Sequence, residues 1–190
     1  MTITDKVLFR NVTCPWWLCF TFDNPFRRLL QNPRKILKGM AGPGQTVLDI
    51  GCGMGYFSIP LAQIVGSSGA VTCVDLQQQM LDAARRRAER AGLANIKFHR
   101  CTTDSLGLTE QADFALTFWM VHEVPDKQRL LREIKDSLKP GGRLLLVEPQ
   151  LHVSQKDFDA TVSTALSAGF QIVERPRVPI SMAILLTNPA

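Results

Sequence analysis

From Val47 onward the chain alternates two hydrophobic rhythms. Short apolar runs at Val47–Ile50, Val71–Val74, Ile96–His99, Phe114–Phe118 and Leu144–Val147 have the length and the β-branched or aromatic content of buried strands. The segments between them carry helical spacing. Gln78–Ala91 places Met80, Leu81, Ala84 and Ala88 on one face, with Arg85, Arg86, Arg87 and Arg90 largely opposite, and Gly92 closes it. Asp126 stands where it caps Lys127–Leu138, whose Leu130, Leu131, Ile134 and Leu138 form an apolar stripe. Ser154 caps Gln155–Ala168 in the same way, with Gly169 at its end. Phe170–Glu174 and Ser181–Leu186 then read as two closing strands joined through Pro176 and Pro179. Strands alternating with helices require a parallel sheet covered on both faces, which takes ligands at the carboxyl ends of its strands near the switch point.

The part ahead of Val47 follows different rules. Asn24-Pro25 and Asn32-Pro33 each pair an N-cap residue with proline at the first helical position. They predict short helices over Pro25–Gln31 and Pro33–Met40, before the turn Gly42-Pro43-Gly44. Cys14–Phe22 is aromatic and holds Trp16 and Trp17, two of the three tryptophans. Charge sets the same region apart. The net +5 resides in residues 1–45, where seven basic side chains face only Asp5 and Asp23; the remainder carries 15 of each sign. The division expected is therefore an N-terminal segment, residues 1–44, on a body spanning 45–190, in one domain of 190 residues. No apolar run approaches the roughly 18 residues of a membrane-spanning helix, and the first ten residues lack the core of a signal peptide. Five cysteines form no disulfide-like layout, and Cys14 and Cys19 lack the paired ligands of a zinc site, so no metal is expected. A reduced, cytoplasmic protein follows.

One stretch carries most of the chemistry. Val47-Leu48-Asp49-Ile50 runs into Gly51-Cys52-Gly53-Met54-Gly55, and the helix-like Tyr56–Ile59 follows at once. A strand, a tight turn and a helix start in that order bring backbone N–H groups to a ligand, and glycines let it come close. The dinucleotide fingerprint G-x-G-x-x-G would need glycine at position 56, which is Tyr. The pattern found, G-x-G-x-G with Asp49 two residues ahead, resembles motif I of the class I S-adenosylmethionine-dependent methyltransferases. Further features fall in that family's order: Val71–Asp75 as a strand ending in an acid, Cys101–Leu106 after the third strand, and Leu138-Lys139-Pro140-Gly141-Gly142-Arg143 as its K-P-G-G turn before strand five. The resemblance covers about residues 45 to 187. It implies a Rossmann-like, doubly wound sheet of seven strands, ordered 3-2-1-4-5-7-6 with the last strand antiparallel, beneath an N-terminal helical lid.

The same resemblance distributes the cofactor's needs over residues. Gly51, Cys52, Gly53 and Gly55 would meet the amino acid end of S-adenosylmethionine, with Asp49 organising the turn near its amino group. Asp75 would hold the ribose hydroxyls and Leu76 would pack on adenine. Asp104 would accept from the adenine amino group, and Ser105 would offer its backbone N–H. Trp119–Asp126 is similar to the loop that faces the methyl donor, which makes Trp119 a cofactor neighbour and His122 the candidate catalytic base. His122 can equally hydrogen-bond the loop or line the pocket. Trp16, Trp17, His122 and Glu148 are the candidates for substrate contact.

The function implied is methyl transfer to a small, apolar or planar metabolite, leaving S-adenosylhomocysteine. The pattern lies closest to the methyltransferase type 11 and ubiquinone/menaquinone-biosynthesis-like enzymes. Two alternatives stay open: an RNA methyltransferase, suggested by the basic segment, and a non-catalytic S-adenosylmethionine-binding partner protein. Strand four is not followed by an N/D-P-P-Y/F-like motif of amino-methylating nucleic-acid enzymes, which counts against methylation of DNA or RNA bases but leaves ribose or protein targets open. A peripheral membrane contact through Trp16, Trp17, Phe20 and Phe22, with Arg27, Arg28, Arg34 and Lys35 on headgroups, is a further variant. Nothing in the chain specifies the oligomeric state.

Overall fold

The computed structural model describes residues 30–190. Trp16, Trp17, nearly all of the helix expected over Pro25–Gln31, and most of the basic, aromatic segment lie outside the described residues. Within them, α1 (Pro33–Ile36) precedes β1 (Thr46–Ile50), α2 (Ser58–Val65), β2 (Ala70–Asp75), α3 (Gln78–Arg90), β3 (Ile96–Arg100) and β4 (Ala112–Phe118). A 3-10 turn over Val121–Glu123 leads to α4 (Lys127–Asp136), β5 (Leu138–Pro149), α5 (Gln155–Ser167), β6 (Gln171–Glu174) and β7 (Ser181–Thr187).

The seven strands form one sheet in the order β3-β2-β1-β4-β5-β7-β6. β1 to β5 pair in parallel, and β7 runs antiparallel to both β5 and β6. This is the Rossmann-like topology the motifs imply. Chain order reverses between β1 and β4, so the crevice at the carboxyl ends of those two strands is the switch point. The central strands are buried on both faces, and each face has its own core. On one, Leu48, Ile50, Ala115, Leu144 and Leu146 meet Leu130, Leu131 and Ile134 of α4 and Phe158, Val162 and Ala165 of α5. On the other, Val47, Leu116 and Leu145 meet Leu37, then Leu61, Ala62 and Val65 of α2, and Leu81 of α3. Fully burying each of the Val, Leu, Ile and Phe side chains among these contributes about 1.5–3 kcal/mol. Leu37 and Met40 already belong to this core, so packing begins ahead of residue 45.

Three elements differ from the sequence reading. Asn32 caps α1 as expected, its side chain accepting from Arg34 N–H at 3.0 Å, but the helix ends at Ile36 instead of Met40. Met40 N–H turns back to Leu37 O at 2.9 Å across Gly39, which has φ +75°, and this drops Leu37 and Met40 into the core. Leu138 belongs to β5 and not to α4, because it pairs with Ala112. The Lys139–Gly142 stretch likewise lies inside a long β5, bulged against β4, and is not a separate turn before it. Asn188 explains this: its C=O and N–H bond Gly141 N and Gly142 O at 2.7 and 2.8 Å, and its side chain donates to Leu138 O at 2.9 Å. Among the described residues no helix is long and apolar enough to cross a membrane, and no group of three or more His, Cys, Asp or Glu could hold a metal ion.

Candidate active site

β1 passes straight into the glycine turn at the carboxyl edge. The N–H groups of Gly51 and Cys52 both donate to Val74 O, at 2.8 and 3.1 Å, so the turn stays hooked to β2 as it bends. Gly51 has φ +70°, and a Cβ there would stand 2.7 Å from Met120 Cγ. Backbone and neighbour both require glycine. Gly53 is different. Its φ is +53°, yet nothing lies within 4 Å of where a Cβ would be, so this side of the turn is open. Gly55 lies close to α3, where a Cβ would meet that of Ala84 at 3.2 Å.

Two acids flank the turn. Asp49 is 2% exposed and accepts from Ser58 Oγ at 2.5 Å. Burial pushes its carboxyl up to about 7; the Ser58 hydrogen bond opposes that rise, and the nearby Asp75 adds to it. Asp75 ends β2 and is also buried, which raises its pKa against the pull of the N–H groups that it accepts. They are Gly53 N–H on one oxygen and Gln77 N–H on the other, both at 2.9 Å, together with that of Leu76. Asp75 therefore braces the glycine turn, a link that no sequence spacing announces. Cys52 fills the turn's inner side; hydrogen bonding to Cys73 and burial hold its thiol well above the usual range. Leu76 follows half-buried, its carbonyl accepting from Arg100 Nε at 3.2 Å.

The loop after β3 is largely exposed. Asp104 is 88% exposed on its side chain, with Arg129 3.6 Å away. The N–H of Ser105 donates to Thr102 Oγ1 at 3.1 Å, and its hydroxyl to Glu133 at 3.3 Å. Thr102, which sequence reasoning passed over, is the residue that caps this bend, and its β-hydroxyl two to three residues ahead of free N–H groups was a legible signal.

The loop after β4 is held more tightly. Trp119 takes a left-handed backbone, φ +61°, strained for a residue with a Cβ by about 1 kcal/mol or more. Its N–H donates to Val147 O at 2.8 Å and its indole to Ser181 Oγ at 3.0 Å. The bend lays Met120 on Gly51 and delivers Val121 N–H to Glu148 Oε1 at 2.9 Å. Glu148 Oε2 meets His122 Nδ1. Glu148 is 1% exposed, and its carboxylate holds the loop. The imidazole is partly exposed, and its Nε2 has no hydrogen-bond partner among the described residues. His122 and Glu148, read separately from sequence, are one unit in space. Gln31 joins the site from the N-terminal side, its carbonyl accepting from Tyr56 Oη at 2.9 Å and its amide reaching Ser181 Oγ at 3.4 Å.

A glycine turn at the switch point of a doubly wound sheet, with acids ending β1 and β2, defines a nucleoside-binding α/β protein. Its family is more specific. Residues 41–174 match a family described as a methyltransferase domain, and the chain belongs to it. It is 37% identical over 121 residues to the ubiquinone/menaquinone biosynthesis C-methyltransferase UbiE of Cellvibrio japonicus, covering 61% of this chain and 49% of that protein. The same enzyme from Vibrio parahaemolyticus is 33% identical over 125 residues, with 63% and 48% covered. The chain thus spans about half the length of these curated relatives. In fold it superimposes on a SAM-dependent methyltransferase from Aquifex aeolicus with a TM-score of 0.83 at 23% identity, covering 92% of this chain and 99% of that one. The [4+2]-cyclase SpnF shares the fold at a TM-score of 0.72 and 18% identity, covering 84% and 81%. The cofactor of the family is S-adenosylmethionine, and the site's own features suit it: an open glycine face with two buried acids beside it.

Proposed function

We propose that this protein transfers a methyl group from S-adenosylmethionine to a small planar acceptor whose nucleophile is released by loss of a proton. The observation that carries the reading is the conjunction at one sheet edge of the open Gly53 face, the buried acids Asp49 and Asp75, and the paired His122 and Glu148. The cofactor, when bound, supplies an electrophilic methyl group on a sulfonium. Everything else is the protein's work. The backbone from Gly51 to Gly55 and Asp49 would hold the amino acid end, Asp75 the ribose hydroxyls, and Leu76 one side of the base. Trp119 would border the cofactor through its bent backbone. Asp104 and Ser105, exposed on their loop, would reach the base from the rim.

Alignment of nucleophile and electrophile supplies about 7–11 kcal/mol in such a displacement, and a general base a further factor of roughly 10²–10⁴. His122 is the group we assign to the second task. The relatives' name specifies transfer to carbon. A quinone ring carbon is a nucleophile only in the reduced, hydroxyl-bearing form, so a hydroquinone-like acceptor fits that chemistry. Trp16 and Trp17 would line the acceptor pocket from a lid formed by residues 1–44. Gln31, pinned to Tyr56 and Ser181, supports that placement because it ties this segment to the site. The free thiols of Cys52, Cys73 and Cys101 support a reducing, cytoplasmic setting.

Thermal unfolding with and without S-adenosylhomocysteine, with NAD as control, tests the cofactor. A ligand at about 100 times its Kd adds roughly 2.7 kcal/mol, several degrees in Tm for a domain of this size. A rise with the adenosyl ligand alone supports the reading; a rise with NAD alone overturns it. Label transfer from methyl-labelled donor into a cell extract then separates an enzyme from a protein that only binds.

A further inference from the structure

Resting on the methyltransferase reading above, we propose that Glu148 is a positioning residue: it holds His122 in the less common Nδ1–H tautomer, leaving Nε2 as the proton acceptor, so that the acceptor molecule carries an ionisable O–H. The case is one of hydrogen-bond supply. A carboxylate only accepts. Glu148 ends β5 at 1% exposure, and its Oε1 is occupied by Val121 N–H at 2.9 Å. Oε2 faces His122 Nδ1. With no proton on the carboxylate, the hydrogen between them belongs to Nδ1, and in a neutral ring Nε2 then keeps its lone pair. Nε2 is also the nitrogen without a partner among the described residues, on a side chain 24% exposed. The arrangement is rigid at both ends. Glu148 pairs with Met182 in the β5–β7 ladder, and the turn bearing His122 is held by Trp119 N–H to Val147 O and by Glu123 N–H to Met120 O at 3.0 Å.

The step balances as follows. The acceptor's O–H proton passes to His122 Nε2, giving an imidazolium beside the Glu148 carboxylate. The electron pair left on the acceptor, on oxygen or conjugated onto a ring carbon, forms the bond to the methyl carbon. The old carbon–sulfur pair stays on sulfur, leaving the neutral thioether. For transfer to carbon, the ring hydrogen leaves as a proton afterwards and aromaticity returns. A fixed imidazole beside a buried carboxylate adds nothing to an acceptor that is already a free nucleophile, such as a tertiary amine; it serves one that must lose a proton first, as a phenol or an enol does.

Glu148→Gln converts this into a sharp test. Val121 N–H still requires an acceptor, so the Gln oxygen stays there and its NH₂ turns to His122 Nδ1. The ring must then accept at Nδ1 and carry its hydrogen on Nε2. Nitrogen-15 spectra of histidine-labelled protein report the tautomer directly, with His122→Asn assigning the signal among the three histidines. The expected result is Nδ1–H in the unmodified protein and Nε2–H in Glu148→Gln. An Nε2–H ring in the unmodified protein, or an unchanged tautomer in the variant, overturns the proposal. The S-adenosylhomocysteine Tm shift, measured on both proteins, is the separate readout. Its retention in the variant shows a folded site, and its absence from the unmodified protein tells against the methyltransferase reading while the spectra still decide the tautomer.

Discussion

Asp49→Asn isolates the consequence of placing an acid under the glycine turn. The unmodified carboxyl moves from 3.8 to about 7 on folding, chiefly through burial. At about 1.4 kcal/mol per pH unit, that displacement corresponds to roughly 4 kcal/mol. Its direction is fixed by proton linkage. Between these pH values the folded protein holds a proton that the unfolded chain has released, so stability from this group is present below about pH 4 and is lost progressively as pH rises through about 7. Asparagine has no proton to lose and can still accept from Ser58 Oγ. The stability of Asp49→Asn relative to the unmodified protein should therefore climb by several kcal/mol from pH 4 to pH 8, and then level off. Urea unfolding followed by circular dichroism across that range measures the difference, in which titrating groups that do not interact with Asp49 cancel. A difference constant within about 1 kcal/mol over the whole range would refute the argument. The same variant should bind S-adenosylhomocysteine more weakly, because an ammonium group at the turn can be matched by a carboxylate and not by an amide. Cofactor binding to the unmodified protein near neutral pH should accordingly release protons, which calorimetry in buffers of different ionisation enthalpy detects.

The remaining predictions follow from single contacts. Gly51→Ala forces a Cβ to within 2.7 Å of Met120 Cγ at a positive φ, and should destabilise by about 1–3 kcal/mol in urea titrations. Gly53→Ala meets no neighbour, so only backbone strain of about 1 kcal/mol is expected, while the S-adenosylhomocysteine Tm rise should vanish. A full rise would show that the ligand does not approach by that face. Asn95 donates to Ala62 O and Gly66 O at 3.0 and 2.8 Å, satisfying the end of α2; Asn95→Ala should destabilise by about 1–3 kcal/mol, measured by the urea midpoint at unchanged slope.

Much of this protein was legible in the chain because local chemistry and global packing agree. The alternation of apolar runs with 3.6-residue periodicity determined the α/β class, and the caps Asn32, Asp126 and Ser154 act as their side chains dictate. The glycine spacing determined the turn and, with Asp49 and Asp75, the class of ligand. Other features required the folded chain. Lys139–Gly142 reads locally as a turn, yet Asn188, nearly fifty residues on, draws it into β5. Asp75 looks like a ligand for ribose, and only the parallel register of β1 with β2 brings it to Gly53 N–H. His122 and Glu148 lie 26 residues apart and carry no mutual signature. They meet because β4 and β5 are adjacent and end level with each other, and because Trp119 accepts a strained backbone that turns the loop back toward β5. Sequence periodicity records which face of an element is buried. Pairings between loop residues depend on strand order and register, which are decided by the sum of contacts across the sheet, and so appear only in three dimensions.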